Sequence, residues 1–217
     1  MSRRPDSNKS FVESIRSSAP GAVVEGFPTD TAPQNLTKAF KEIQECDAFK
    51  GLKLKVAVFS IKHSSRKEFM EETWDDYTES LQSYAGGAFA FAQESLKRFF
   101  ADHGETPLSE GGEKKGTLIF TGTLGALRCS ANYAAYGSSR ASVRQLAQSL
   151  AREMSEKGVH VVHTIANGYI IDENGEDQKS GKKMSAEAVG KTYLWLSEQA
   201  PELWTHELDM RPACEKF

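Results

Sequence analysis

A chain of 217 residues with 39% hydrophobic side chains carries enough apolar mass for one domain with a sizeable core. Its formal net charge of −3, with basic residues scattered among acidic ones, offers no general attraction to nucleic-acid phosphates or anionic lipid, so neither is an expected partner. Three cysteines, Cys46, Cys129 and Cys214, are too far apart and odd in number for a disulfide framework or a metal knuckle, and no stretch reaches the roughly 18 apolar residues of a membrane span.

The opening Met1-Ser-Arg-Arg-Pro5 leads into a polar segment without an apolar signal core, so the expected compartment is reducing and cytoplasmic. Phe11, Val12 and Ile15 recur at helical spacing within Ser7 to Ser18, and Ala19-Pro20-Gly21 stops that helix. Ala22 to Phe27 then reads as a buried strand closed by Pro28, which puts Asp30 on a strand rim. A helix with Leu36, Ala39, Phe40 and Ile43 on one face follows, and the apolar run Leu54 to Ile61 suits a fully buried strand. Trp74, Tyr77, Leu81, Tyr84, Ala88, Phe91, Ser95 and Phe99 line one stripe of a long helix from about Thr73 to Phe100.

Residues Asp102 to Lys115 read as a solvated loop before the strand Thr117-Leu118-Ile119-Phe120. A second long helix spans about Asn132 to Lys157 and turns at Gly158 into the strand Val159 to Ile165. A charged loop, Asp172 to Lys183, precedes a last helix with Val189, Tyr193 and Leu196. Strands alternating with long helices imply a parallel sheet with helices on both faces, an α/β Rossmann-like fold over residues 1–217 as a single domain, with ligands at the carboxyl ends of the strands.

The densest chemical signal is Phe120-Thr121-Gly122-Thr123 at a strand end, followed by Tyr136-Gly137-Ser138-Ser139-Arg140 in the first turns of the next helix. Residues four apart share a helix face, so Arg140 can hold a fixed positive charge beside the phenol of Tyr136, and the hydroxyl of Thr123 can approach from the strand rim. An ordinary tyrosine titrates near 10, so a tyrosine used for proton transfer at neutral pH needs such a cation. His160 and His163, three apart on a strand, point to opposite faces and make no joint metal site; packed or surface histidines are expected. Cys129 has no evident base beside it and reads as a small packed thiol.

Gly116-Thr-Leu-Ile-Phe-Thr-Gly-Thr123, Ser130-Ala-Asn-Tyr-Ala-Ala-Tyr136-Gly-Ser-Ser-Arg140-Ala-Ser-Val-Arg144 and Leu146-Ala-Gln-Ser-Leu-Ala-Arg-Glu153 together resemble the catalytic strand and helix of short-chain dehydrogenases/reductases. Trp204-Thr-His-Glu-Leu-Asp-Met-Arg-Pro212 and the closing Glu215-Lys-Phe resemble the tail of an atypical branch of that family. Arg3-Arg4-Pro5, a helix and then Asp30 resemble its segment from the end of the second strand through the third, so the fold is expected to be incomplete at the N-terminus.

The resemblance implies NADP(H) as cofactor, a small-molecule carbonyl or alcohol as substrate, and homo-oligomers built by the two long helices. It makes Tyr136 the acid/base, Thr123 the counterpart of the usual serine, Arg140 that of the usual lysine and Tyr84 that of the helical asparagine, located by Gly87-Ala-Phe-Ala-Phe-Ala-Gln93. Arg3 and Arg4 stand where relatives preferring a 2′-phosphate carry basic residues; with Asp30 and Arg140 they form the implied cofactor set, and no metal is implied. No G-x-G-x-x-G spacing occurs in the sequence, so the backbone cradle for the pyrophosphate is missing. The family's Asn-Asn-Ala-Gly turn is replaced by Val58-Phe-Ser-Ile-Lys-His63, and its Pro-Gly by Asn167-Gly168. Three readings follow: an oxidoreductase with a degenerate cofactor site, a non-redox relative serving as a binding protein or cofactor-free acid/base enzyme, and a truncated, inactive gene product.

Overall fold

Two apolar runs organise the sheet, β2 (Gly116–Gly122) and β3 (Val159–Ala166), both buried along nearly their whole length in the computed structural model, which describes residues 1–61, 65–172 and 175–215. Strands buried on both faces are what a parallel sheet between helices requires. β1 (Val56–Phe59) pairs with β2 and β6 (Glu207–Met210) with β3, giving the all-parallel order β1-β2-β3-β6. The register aligns Phe59 with Phe120, and Phe120 with His163. A two-stranded parallel ribbon, β4 (Ile170–Ile171) with β5 (Met184–Ser185), stands apart.

The helices are α1 (Pro5–Ser18), α2 (Pro33–Glu45), α3 (Trp74–Ser80), α4 (Gly87–His103), α5 (Ala134–Met154), the short α6 (Glu176–Lys179) and α7 (Ala186–Glu198). Pro5 and Pro33 stand in the first turns of α1 and α2, where the missing N–H costs no intrahelical bond. α4 and α5 cover one sheet face, with Phe91, Phe99, Val143 and Ala147 on Phe59, Leu118, Phe120 and Val161. α7 covers the other, with Leu196 and Tyr193 on Ile119, Val162 and Leu208. Helices on both faces of a parallel sheet are what the alternation of elements predicts. Gly158 turns α5 into β3 at φ +86°, a conformation that L side chains rarely adopt.

Several sequence expectations are corrected. Ala22 to Phe27 forms no strand: only Pro28 bridges, to Ser2, and without a neighbouring ladder the segment runs as exposed coil with Val23 in solvent. The run Leu54 to Ile61 is not fully buried; Ala57 and Phe59 face the core, but Val56 and Val58 are 38% and 40% exposed, because β1 is an edge strand covered on one face. The helix from Thr73 to Phe100 is interrupted by a π-turn, Leu81–Gly86, and Trp74 stands 74% exposed, off the buried stripe. The loop Asp102 to Lys115 ends on a buried lysine whose Nζ donates to the Thr106 carbonyl at 2.8 Å. The loop Asp172 to Lys183 contains α6. Lys62 and His63, in the replaced family turn, and Lys216 and Phe217, in the tail, lie outside the described residues.

Candidate active site

The carboxyl ends of β2 and β3 meet the amino end of α5, and the site is built at that junction. β2 gives out at Gly122, leaving Thr123 in extended backbone at φ −142° and ψ 177° with its side chain at the rim. Tyr136 enters from the first turn of α5. Thr123 Oγ1 and Tyr136 Oη lie 2.6 Å apart in a direct hydrogen bond. The amino end of α5 is held by a neighbour: the Ala135 N–H donates to Glu72 Oε2 at 3.2 Å, which satisfies one of the amides a helix start leaves open.

One helical turn after Tyr136 is Arg140, 4% exposed, its guanidinium carbon 4.8 Å from the Tyr136 ring centroid and 3.4 Å from that of Tyr84. A buried cation over an aromatic face contributes about 2 kcal/mol when desolvated. Arg140 and Tyr136 are neighbours, as residues four apart on a helix should be; the closer approach of Arg140 to Tyr84, 56 positions away in sequence, is beyond any local pattern.

Tyr84 is fully buried, and its hydroxyl donates to the Thr121 carbonyl at 2.8 Å. Burial pushes its phenol up to about 12, against the opposing pull of the Arg140 charge. With the hydroxyl committed to β2, Tyr84 is a structural donor in this arrangement and not the small amide that the family places there. Tyr84 lies within the π-turn Leu81–Gly86, where the wider turn changes the angular step between side chains relative to a regular α-helix.

On the α7 side, the Tyr193 hydroxyl lies 2.8 Å from both Thr121 Oγ1 and Thr164 Oγ1. These three residues and Glu72 were not singled out from sequence as site residues. The signal for Thr121 was its place in β2, where alternation turns its side chain away from that of Phe120.

A second feature is a cleft of about 780 Å³ at the rim beyond β1, bordered by Arg3, Asp30, Thr31, Val58, Ser60 and Ile61 among others. Asp30 lies in the turn before α2 and not on a strand; its Oδ1 accepts from Asn35 Nδ2 and from the Ala32 N–H, each at 2.9 Å. The Asn35 bond first, then the Ala32 bond, holds its carboxyl below the usual range, and the charge of Arg3 adds to this. Arg4 caps the start of α1 and does not border the cleft. Arg140, expected to serve both catalysis and cofactor, stands with the tyrosines and not on the cleft wall.

Cys129 is more exposed than a packed thiol, although its Sγ donates to the Gly125 carbonyl at 3.6 Å and burial of the sulfur pushes the thiol up. His160 and His163 are both buried, on opposite faces of β3 as their spacing required: His160 Nε2 meets the Thr205 carbonyl at 2.8 Å, and His163 Nδ1 lies 3.6 Å from Glu207. Among the described residues, no three His, Cys, Asp or Glu stand close enough to hold a metal ion, and no helix is long and apolar enough to cross a membrane.

The family described as Enoyl-(Acyl carrier protein) reductase matches residues 1–200. A comparison with curated proteins finds no match. Among solved structures, a short-chain dehydrogenase from Rhodopseudomonas palustris is similar with a TM-score of 0.75 at 24% identity, over 97% of this chain and 84% of that one. An alcohol dehydrogenase from Thermococcus sibiricus complexed with 5-hydroxy-NADP gives 0.77 at 13% identity, over 99% and 85%. A sorbitol-6-phosphate 2-dehydrogenase from Erwinia amylovora gives 0.78 at 16% identity, over 99% and 88%. At these identities the likeness speaks for the fold, while the match over residues 1–200 speaks for descent: the chain belongs to the short-chain dehydrogenase/reductase family.

Proposed function

We propose that the protein is an oxidoreductase acting on a carbonyl or alcohol, linked to NADP(H) through a degenerate cofactor site. The observation that carries this reading is the 2.6 Å contact between Tyr136 Oη and Thr123 Oγ1 at the sheet rim, with the Arg140 guanidinium 4.8 Å from the Tyr136 ring. A carbonyl oxygen placed against both hydroxyls accepts two hydrogen bonds; Tyr136 Oη delivers the proton, and Thr123 Oγ1 orients the oxygen. Arg140 stands beside the Tyr136 ring as a fixed cation, because arginine does not give up a proton of its own.

The residues fit one end of the cofactor better than the other. Arg3 and Asp30 face a cleft large enough for a nucleoside, and Arg3 supplies the planar charge that suits a 2′-phosphate, while Arg4, which does not border the cleft, has no such place. No glycine-rich turn opening a helix borders that cleft among the described residues, so the pyrophosphate has no cradle of amides. When bound, NADP(H) supplies the hydride.

A non-redox use of the same acid/base pair is the second reading. It is favoured by Arg140, which is buried against Tyr84 instead of reaching toward the cleft. Titration of the purified protein with NADPH and NADH, followed by fluorescence and heat and paired with a survey of carbonyl substrates, separates the two. Saturable binding with turnover supports the oxidoreductase; no binding, with proton exchange that depends on Tyr136, supports the second. We further propose a cytoplasmic homo-oligomer joined through α4 and α5, in keeping with three free cysteines.

A further inference from the structure

We propose that the open edge of β1 is a docking strip for an extended peptide strand, held by main-chain hydrogen bonds in the cleft between β1 and the bridge that joins Ser2 to Pro28. The proposal goes beyond the acid/base reading and does not depend on it. β1 ends the sheet: among the described residues, no strand pairs with it on the side away from β2. The Thr117 N–H donates to the Lys55 carbonyl at 2.9 Å. The alternation of a strand therefore directs the backbone groups of Lys55, Ala57 and Phe59 to β2, and those of Val56, Val58 and Ser60 outward. An extended main chain matches such a row of donors and acceptors at strand spacing.

The side chains agree with the backbone. β1 reads Val-Ala-Val-Phe, with neither a proline nor a charge inside it to protect the edge, and Val56 and Val58 are exposed on its uncovered face. The cleft continues from this edge, with Val58, Ser60 and Ile61 on one side and Ser2 and Thr29 on the other, where the Thr29 N–H donates to the Ser2 carbonyl at 2.9 Å. That far wall selects the occupant. A single strand enters between β1 and the bridge, whereas the β1 edge of a second copy would bring its own bridge segment against this one. Charge narrows the choice further: Lys53 and Lys55 stand exposed at the amino end of β1, and Arg3 borders the cleft at its carboxyl end. Asp30, the acid in the cleft, already accepts from Asn35 and Ala32. The complementary strand alternates apolar residues and carries acidic flanks. Because this is the cleft offered above to the adenosine end of a cofactor, peptide and nucleotide exclude each other there.

The test uses the full, isotope-labelled chain and a short synthetic peptide of alternating valine and threonine between aspartates. The peptide binds saturably, and amide hydrogen exchange of Val56 and Val58 slows at least about tenfold at saturation, while that of Ala57, directed to β2, changes little. Two further peptides, N-methylated on one or the other alternate set of amides, leave the protein untouched. Only one of them binds, because an added strand turns a single set toward β1, and the other is weaker by about tenfold or more. A lysine-flanked peptide is also weaker. Val58→Pro, which removes an outward donor at a position where an edge strand tolerates proline, weakens binding and keeps a cooperative thermal transition. Absence of saturable binding, equal binding of the two methylated peptides, or equal affinity for the lysine-flanked peptide overturns the proposal. Slow exchange of Val56 and Val58 in the free protein that speeds up on dilution assigns the edge to a second copy and overturns it as well.

Discussion

Gly125 lies against the ring of Tyr136 so closely that a Cβ built on it would stand 2.5 Å from Cε1 and 3.1 Å from Cδ1. The ring reaches Thr123 only because position 125 has no side chain. Gly125→Ala must push either the short 3-10 turn Leu124–Ala126 or the tyrosine outward, which lengthens the Thr123–Tyr136 bond. Overpacking of this kind costs about 1–3 kcal/mol of stability, and a displacement on the order of 1 Å lowers turnover about a hundredfold. Thermal unfolding and kcat of Gly125→Ala measure both; native turnover in this variant would show that the tyrosine's seat is not critical.

Removing the hydroxyls directly separates their roles. Tyr136→Phe deletes the hydroxyl proposed to deliver the proton and should lower kcat by about two to four decades. Thr123→Ser keeps the donor and acceptor and should cost little, whereas Thr123→Val keeps the volume, leaves Tyr136 Oη without its 2.6 Å partner and should fall between the two. Equal activity of Thr123→Val and Thr123→Ser would remove Thr123 from the mechanism.

The residues that sequence located well are those whose meaning is local. The apolar runs of β2 and β3 and the three-residue step between His160 and His163 follow from strand geometry, and Tyr136 and Arg140 share a face because four residues make about one turn. What was not legible depends on distant partners. The approach of Arg140 to Tyr84 needs the fold to bring positions 56 apart together, and the π-turn that carries Tyr84 has no pattern in the run Leu81-Gln-Ser-Tyr-Ala-Gly86 that an α-helix would not share. Ala22 to Phe27 has the composition of a strand, but composition does not supply the neighbouring ladder that makes one.

His160 and His163 should make the fold acid-sensitive. Burial is the main cause in both, pushing each imidazole down to about 4. Opposing it are the Thr205 carbonyl at His160 and Glu207 at His163; Lys114 and His206 near the first, and Arg144 near the second, add to the lowering. Because the folded values lie below the unfolded value near 6.5, the unfolded chain binds more protons in between. The stabilisation is fully present above pH about 6.5 and is lost as pH falls toward about 4, at roughly 1.4 kcal/mol per pH unit for each histidine that titrates. Urea midpoints measured from pH 7 to 5, above the main carboxylate range, should fall, and His163→Asn should flatten that slope. An unchanged slope in the variant would show that His163 takes up its proton in the folded state.

Assembly can be tested on α4, where Phe89 is 52% exposed although its neighbours Ala88, Ala90 and Phe91 are buried. If copies join through α4 and α5, sedimentation should report a dimer or larger species, and Phe89→Glu, which places a charge on the joined face, should shift it toward monomer without loss of helical signal. A monomeric wild type at micromolar concentration would remove the oligomer from the reading.

The cofactor is where chemistry and descent pull in different directions. Family membership argues for a dinucleotide, and Arg3 and Asp30 still border a cleft of about 780 Å³ that could take its adenosine end. The pyrophosphate, however, carries two charges and is ordinarily met by backbone amides and a helix amino terminus. Each charge-assisted hydrogen bond to such a group contributes about 1.5–3 kcal/mol, so loss of even two weakens binding by roughly two to four decades. Micromolar affinity becomes millimolar. Calorimetric titration of this chain with NADPH should therefore give a Kd in the millimolar range or no heat, with Arg3→Ala weakening whatever remains and falling more for NADPH than for NADH, because the guanidinium matches the extra phosphate. Tight, saturable binding of either cofactor would mean that groups outside the glycine-rich motif hold the pyrophosphate here, and the cofactor site would then be an alternative design and not a degenerate one.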